Sequence, residues 1–456
     1  MKEIRLNAFD MSCVGHIGHG LWTHPRDQSW RYTDLDYWTG LARTLERGLF
    51  DGLFLADVVG VYDVYDSSPE AALRNAAQVP VNDPLLLVPA MAQATQHLSF
   101  GVTCNVSYEQ PYLFARRMST LDHLSRGRIA WNIVTGYLDS AARAMGQPAL
   151  PAHDSRYDMA DDFMEVVYKL WEGSWQEDAV RRDRANGIYA DPARVHEIHH
   201  DGPHFKSQGV HLAEPSPQRT PVLYQAGSSA RGRAFAAQHA ECIFVAGNAK
   251  ATVAETVRDV RARAAARGRD PADILAFISA CVVVAPTEAE AREKAAEYAR
   301  HRSLEGGLVH MAGGTGIDYA GIGWDEPIST SQTNAMQSSL DSLTKKGTAA
   351  FTKRHLAEQY GIGGRTQPII GDPGQVADAM IAWITETDID GFNLSRTVMP
   401  ECIEDFVDLV VPELQARGVY KREYRPGSYR AKLRDDGLAR LPASHPAAQY
   451  RRPSRS

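Results

Sequence analysis

Residues whose side chains could bind a ligand collect between Gly127 and Tyr157. An apolar strand beginning at Ile129 runs there into a polar turn. The turn holds Asn132, Val134 and Thr135. His153 and Tyr157 follow, four residues apart at the start of a predicted helix, so both side chains can reach one ligand. Because ligands of α/β proteins bind at the carboxyl ends of strands, this stretch is predicted to form one wall of a ligand site.

A second cluster of small residues reads QAGSSARG and lies between a predicted strand and a predicted helix. Gly227 lets the backbone approach a ligand closely, Ser228 and Ser229 supply hydroxyl groups, and the helix N-terminus favours an anion. The pattern suits a phosphate, but a plain serine-capped helix would read the same. A serine hydrolase is the other alternative, although Gly232 stands one position too late for the G-x-S-x-G turn.

Polar residues also close two other predicted strands. Asp57 follows the second strand, and Thr103 stands at the end of the third. In a barrel of parallel strands these positions face the mouth, where active sites are built. Asp57 and Thr103 are therefore candidates for the same site.

The segment from His196 to His200 matches the H-E-x-x-H zinc pattern. That pattern needs a helix, which brings the two imidazoles onto one face. Here the segment alternates polar and apolar residues and ends at Asp201-Gly202, which indicates a hairpin. Residues four apart in an extended chain lie about 13 Å apart, so no metal site is predicted.

The order of strands and helices predicts the scaffold that positions these residues. Apolar strands are predicted at 4–9, 50–56, 98–106, from 129, and at 222–226, 241–245, 274–284 and 389–394, each followed by a helix. This rhythm predicts a (β/α)8 TIM barrel over residues 1–417, with insertions at about 173–220 and 303–371. The second insertion is a candidate lid, and Asp154 is expected to cap the helix that carries Tyr157.

The tail at 418–456 holds ten Lys or Arg against three acidic residues and is predicted to be a solvated basic arm able to wrap a neighbouring subunit. A doubly wound sheet is disfavoured, because no dinucleotide-binding fingerprint follows the first strand.

Composition excludes several classes of function. The chain has 456 residues and a net charge of −7, so a nucleic-acid partner is not expected. There is no signal-peptide pattern and no apolar run of about 18 residues, which predicts a cytoplasmic protein without membrane spans. Five scattered cysteines form no C-x-x-C pair and are predicted to be buried apolar residues.

Several longer segments resemble the bacterial-luciferase-type flavin monooxygenases, in the branch of the nitrilotriacetate, dibenzothiophene sulfone and dimethylsulfide monooxygenases. The segments are LARTLERGLFDGLFLAD, GRIAWNIVTGYLDSAARAMG, HDSRYDMADDFMEVVYKLWEGSW, PSPQRTPVLYQAGSSARGRAFA and DPGQVADAM. The resemblance covers residues 1 to about 425. It implies a barrel that binds reduced FMN delivered by a separate NADH-dependent flavin reductase. The basic arm and the barrel helices favour a homo-oligomer, a dimer or a tetramer.

The resemblance also assigns positions in this chain. Its flavin-contacting positions are Asp57, Thr103, His153, Tyr157 and Ser229, with Gly227 and Ser228 in the phosphate loop and Asn132, Val134 and Thr135 along the flavin. His153, Asn132 and Asp57 are the predicted catalytic positioning residues. Gly314 stands where the dibenzothiophene sulfone enzymes carry a substrate-side histidine, so a bulky aromatic sulfone is not the expected substrate.

The expected reaction is oxygenation of a small organic substrate with reduced FMN and O2. C–S cleavage of a compound such as dimethylsulfide is the first expectation. Oxidative dehalogenation of a halogenated aromatic and amine N-dealkylation would use the same flavin chemistry. A serine hydrolase centred on Ser228 or Ser229, and a flavin-binding barrel without turnover, remain the alternatives from other classes.

Overall fold

The computed structural model of the chain describes residues 2–326, 328 and 352–452. Its central sheet is a closed barrel of parallel strands. They are β1 (Arg5–Met11), β2 (Gly52–Ala56), β3 (Ser99–Asn105), β4 (Ile129–Val134), β5 (Val222–Gln225), β6 (Cys242–Val245), β7 (Leu275–Val284) and β8 (Gly391–Ser395). Each strand pairs with the next, and β8 pairs with both β7 and β1, which closes the ring. The predicted TIM barrel is confirmed.

Helices surround this barrel in the predicted alternation. Those that follow or precede the strands are Leu35–Arg47, Val88–Ala94, Pro111–Leu124, His153–Tyr168, Ala230–His239, Lys250–Ala265, Glu288–Ala299 and Pro373–Thr387. The last helical stretch runs through Glu401–Asp405, Phe406–Val410 and Val411–Ala416. Shorter helices lie at Glu70–Arg74 and Asp139–Ala144 in the loops after β2 and β4.

Side-chain alternation along the strands explains the two layers of core. In β2, Leu53 and Leu55 pack outward into the large cluster shared with the helices, whereas Phe54 points inward. Inside the barrel, Phe54 packs with Tyr224 and Phe277. Bulky inward side chains of this kind fill a small barrel, so the interior is solid and a ligand must bind at an end.

The C-terminal tail closes the amino-terminal end of the barrel. Its helix Tyr429–Leu433 places the Tyr429 ring in the inner core, where its hydroxyl contacts that of Tyr224. Arg430 is 1% exposed and its guanidinium binds both carboxylate oxygens of Glu241, at 2.6 and 2.9 Å. The prediction of a solvated arm is therefore wrong for this part of the tail, because its charged residues pair with the chain's own barrel.

The first insertion forms two hairpins, Val180–Asp183 with Ile188–Ala190 and Ile198–Asp201 with Lys206–Gly209. The hairpin predicted around Asp201-Gly202 is confirmed. His200 Nε2 lies 2.8 Å from the Asp162 carboxylate, and Lys169 Nζ donates to His200 Nδ1 at 3.0 Å. This buried network ties the second hairpin to the helix His153–Tyr168.

The second insertion contributes the helices Leu304–Thr315 and Lys353–Gln359 and the strand Pro368–Gly371, which pairs with the end of β7. The part of the predicted lid at 327 and 329–351 lies outside the described residues. Closure of a lid stays a prediction.

Two further sequence predictions are answered by the described residues. Four of the cysteines are buried and Cys402 is half-buried, as predicted. Within the described ranges, none of the helices has the length and apolar character needed to cross a bilayer.

Candidate active site at the barrel mouth

One cavity of about 260 Å³ opens at the carboxyl ends of β2 to β5. Every predicted site residue except Asn132 lines it. These residues are Asp57, Thr103, Val134, Thr135, His153, Tyr157, Gly227, Ser228 and Ser229. The structure thus brings together residues that are up to 172 positions apart in the sequence, from Asp57 to Ser229. They meet at the carboxyl end of the barrel, where the active sites of this fold are built.

Asn132 is the exception, because it lies behind the lining rather than in it. Its Nδ2 donates to Thr103 Oγ1 at 3.0 Å, and its side chain is buried. Its Oδ1 has no hydrogen-bond partner among the described residues. Thr103 accepts this bond, so its own proton is free to be donated into the cavity. Asn132 therefore acts on the cavity through Thr103.

Gly227 forms one end of the cavity, where the backbone passes very close to two side chains. A Cβ at this position would lie 2.3 Å from Gln225 Nε2 and 2.4 Å from the Tyr157 hydroxyl. Gln225 Nε2 itself makes a long hydrogen bond to the Tyr157 hydroxyl, at 3.5 Å. Only glycine fits there without displacing Tyr157 or Gln225 from the cavity wall.

Ser229 caps the helix Ala230–His239 at the same end of the cavity. Its Oγ accepts a hydrogen bond from the Gly232 N–H at 3.0 Å. The start of this helix therefore points unpaired N–H groups and a partial positive charge at the cavity, which suits a phosphate. In the described residues, neither the Ser228 nor the Ser229 hydroxyl is hydrogen-bonded to a histidine, so the arrangement a serine nucleophile requires is not formed.

His153 lies beside Tyr157, as their spacing predicted, with ring centroids 5.3 Å apart. The helix begins at His153 itself, and Ala152 occupies the cap position. The prediction that Asp154 caps this helix is therefore wrong. Asp154 sits in the first turn, where its carboxylate contacts His153 Nδ1 at 2.7 Å. This contact orients the imidazole at the phosphate-like end of the cavity.

Asp57 lies at the opposite end, after β2, in a half-buried position. Burial and, to a smaller extent, the nearby Asp83 carboxylate raise the pKa of its carboxyl to about 7. Near neutral pH the Asp57 carboxyl therefore carries a proton in a large fraction of molecules and can donate a hydrogen bond into the cavity.

Sequence reasoning missed several lining residues. They are Val58, Val59, Tyr137 and Arg156. Arg156 is 1% exposed and donates to the Pro151 carbonyl at 2.6 Å, and burial lowers the pKa of its guanidinium. Arg156 could have been predicted as a lining residue, because it stands next to Tyr157 at the start of a predicted helix.

A second polar cluster beside the mouth was also missed. His310 Nδ1, on the helix Leu304–Thr315, lies 2.9 Å from His19 Nε2 and 2.7 Å from the Tyr360 hydroxyl. Burial lowers the pKa of His310 to about 4, so this imidazole is neutral. The residues come from three distant segments, which no local sequence pattern connects.

Comparisons with known proteins place this geometry in a family. The family model described as luciferase-like monooxygenase matches residues 11–390. The chain is 51% identical to the long-chain alkane monooxygenase of Geobacillus thermodenitrificans, covering 99% of this chain and 98% of the relative. It is 48% identical to the dimethyl-sulfide monooxygenase of Hyphomicrobium sulfonivorans, covering 99% and 94%.

A crystal structure of a riboflavin lyase with modified FMN and riboflavin superposes with a TM-score of 0.93 at 40% identity, covering 99% of this chain and 100% of that chain. The resemblance found in the sequence segments is thus confirmed. The chain belongs to the luciferase-like monooxygenase family of flavin-dependent oxidoreductases.

Proposed function

We propose that the chain is the oxygenating component of a two-component FMN-dependent monooxygenase and cleaves a C–S bond of a small neutral sulfide such as dimethylsulfide. The observation that carries this proposal is the cavity at the barrel mouth, with a phosphate-like end at Gly227–Ser229 and an end near Val58 that is mostly apolar. The 48% identical relative named for dimethylsulfide supports the choice of substrate.

The cavity residues fit FMN. Gly227 allows the backbone to approach a phosphate, Ser229 and the helix behind it offer donors, and Arg156 adds a positive charge to the lining. Asn132 keeps a buried, unpartnered Oδ1 next to Thr103. Buried polar atoms without partners are uncommon in folded proteins, and this one lies directly behind the Thr103 hydroxyl that faces the cavity.

When bound, reduced FMN supplies the two electrons with which O2 is split, so that one oxygen atom enters the substrate and the other leaves as water. For dimethylsulfide the products are methanethiol and formaldehyde, which balances the added oxygen atom.

The chain's own residues set the conditions for that reaction. Thr103 and protonated Asp57 can each donate a hydrogen bond into the cavity. Val58 and Val59 line the same end with apolar surface, which keeps water away from the reacting groups. His153, Tyr157 and the glycine–serine turn hold the phosphate end, and orientation of this kind is the main contribution a protein makes to cofactor chemistry.

A second candidate substrate is an alkane, favoured by the 51% identical relative that is named for long-chain alkanes. The apolar end of the cavity would accept an uncharged alkyl group of either class, within the length that the cavity allows. Oxidative dehalogenation and amine N-dealkylation stay as further predictions of the same chemistry.

The test supplies the purified protein with chemically reduced FMN, O2 and a panel of dimethylsulfide, a long-chain alkane, an N-alkyl amine and a halogenated phenol. We expect methanethiol and formaldehyde from dimethylsulfide, dependent on reduced FMN. Hydrogen peroxide alone with every substrate would identify a flavin-binding barrel without turnover. Labelling by a fluorophosphonate without any FMN affinity would establish the serine hydrolase instead.

Reduced FMN must reach the chain from a partner flavin reductase, and we propose that this reductase is NADH-dependent. A cytoplasmic location and a homodimer or homotetramer remain predictions. Gel filtration with light scattering tests the oligomeric state, and NADH consumption in a reconstituted pair tests the reductase.

A further inference from the structure

The end of the cavity away from Gly227 is closed by aliphatic and aromatic side chains. Val58 and Val59 after β2 and Tyr137 after β4 line the cavity, and Tyr62 packs directly behind them in the same apolar cluster. These four residues are called the apolar wall below. No residue of the wall carries a charge, so a neutral substrate end would meet it.

Two loops that carry the apolar wall are locked to each other. Ser140 Oγ donates to the Val61 carbonyl at 2.7 Å and accepts from the Val61 N–H at 3.1 Å. Gly60 has φ of +102°, and a Cβ there would lie 2.7 Å from Ser140 Oγ. Asp63 and Arg143 form an ion pair across the same two loops. The wall is therefore a fixed surface and not a pair of free loops.

A directed chain of hydrogen bonds fixes the two tyrosines. Gln78 Nε2 donates to the His16 carbonyl at 2.9 Å, so its Oε1 accepts from the Tyr62 hydroxyl at 2.7 Å. The Tyr62 proton is thereby used, and the contact of 2.6 Å between the Tyr62 and Tyr137 hydroxyls requires Tyr137 to donate. Tyr137 has no proton left for a ligand and presents its ring to the cavity.

The space behind the apolar wall is filled. The Tyr62 ring stacks on the His310 ring with centroids 5.3 Å apart. A Cβ at Gly313 on the same helix would lie 2.1 Å from the Tyr62 ring. Tyr62 is only 2% exposed. Tyr62 consequently has no room to swing backward, and Tyr137, hydrogen-bonded to it, is held against the cavity.

We propose that Tyr137, held by Tyr62, sets the maximum length of the substrate and restricts this enzyme to sulfides with short alkyl groups. The proposal rests on the proposed function and deepens it by assigning the substrate-length limit to one side chain. The cavity of about 260 Å³ must also hold part of the flavin, and ligand pockets span roughly 300–1,000 Å³. Little room is left beyond the Tyr137 ring for a longer chain.

The experiment compares binding of dimethyl, diethyl, dipropyl and dibutyl sulfide to the FMN-saturated protein by calorimetry. In the wild type we expect affinity to fall beyond the shortest members. In Tyr137→Ala we expect affinity to rise by about fourfold per added methylene until the new space is filled. Tyr137→Phe is the matched control, because its ring still packs against the Tyr62 cluster, and it should keep the wild-type length limit.

Val59→Phe adds bulk to the apolar wall instead of removing it, so this variant opens no new cavity. It should shorten the limit further, so that diethyl sulfide binds less tightly than in the wild type. FMN affinity and circular dichroism check that each variant is folded.

An unchanged length profile in folded Tyr137→Ala and Val59→Phe would overturn the proposal and leave the proposed function standing. A shift toward longer sulfides in Tyr137→Phe would also overturn it, because the hydroxyl and not the ring would then set the limit. If no sulfide is oxygenated by any variant, the proposed function fails. The binding profiles of n-alkanols of increasing length then still decide whether Tyr137 limits length.

Discussion

Particular buried polar groups at the two ends of the barrel differ in how they are satisfied. At the closed end, Arg430 and Glu241 pair through two hydrogen bonds, and the guanidinium also donates to the Thr220 carbonyl at 2.9 Å. At the mouth, Asn132 Oδ1 has no partner among the described residues, and burial raises the pKa of Asp57 to about 7.

The difference teaches where this fold places stability and where it places binding. An unsatisfied buried polar group costs about 1–3 kcal/mol, so such a group beside a cavity calls for a functional explanation. In TIM barrels the amino-terminal end serves stability and the carboxyl-terminal end serves catalysis. Four substitutions can break or sharpen this contrast.

Loss of the closed-end pair should have the largest effect. Arg430→Ala leaves the Glu241 carboxylate buried and unpaired, and removing one member of a buried pair costs about 3–5 kcal/mol. We expect the free energy of unfolding in urea to fall by that amount. The double variant Arg430→Met with Glu241→Leu is the control and should recover part of the loss. It removes the unpaired carboxylate, but the Leu223 N–H and the Thr220 and Pro221 carbonyls lose these partners. Equal stability of Arg430→Ala and the wild type would contradict the claim that the closed end of the barrel serves stability.

At the mouth, a substitution that removes a charged residue should raise the free energy of unfolding rather than lower it. The folded-state pKa of Asp57 is raised from 3.8 to about 7, so its protonated form favours folding and stability is lost as pH rises between these values. Asp57→Asn removes this penalty and should stabilise the protein by on the order of 2–4 kcal/mol at pH 8. At pH 4 the two proteins should differ little. Urea unfolding at both pH values measures this, and a difference independent of pH would refute it.

Gly227→Ala tests the phosphate end directly. The added Cβ would push Tyr157 and Gln225 out of place, and we expect FMN affinity to fall by about 10- to 100-fold, or about 1.4–2.7 kcal/mol. Quenching of FMN fluorescence gives the affinity. Gly40→Ala is the matched control, because nothing lies within 4 Å of a Cβ there. The control should leave FMN binding unchanged.

Ser229→Ala should have the smallest effect on stability, about 1 kcal/mol from loss of a helix cap. Thr287→Ala removes an equivalent cap on the helix Glu288–Ala299, away from the cavity. Both variants should lose similar stability by thermal unfolding, but only Ser229→Ala should weaken FMN binding. Equal FMN affinity in the two variants would mean that Ser229 serves the helix alone.

Much of the barrel could be predicted from the sequence, because each strand and helix carries its own periodic pattern. The strand bounds were predicted within about two residues, as for β7 and β8. The glycine–serine turn could also be predicted, because its residues are adjacent in the sequence. Tyr137, Tyr62 and His310 were not found, because their contacts depend on how three loops fold over the mouth. The prediction for the tail was wrong because the sequence shows the charge of Arg430 but not its contact with Glu241, 189 residues earlier.

The pairing of Arg430 with Glu241 also bears on the order in which the protein forms. Arg430 follows Glu241 by 189 residues, so Glu241 is synthesised long before its partner emerges from the ribosome. Until then the carboxylate cannot be buried without a large cost, and the inner aromatic core lacks Tyr429. The barrel therefore reaches its final state only after Tyr429 and Arg430 have emerged from the ribosome. A nascent chain stalled before Arg430 should be digested by protease far faster than one stalled after the tail has emerged.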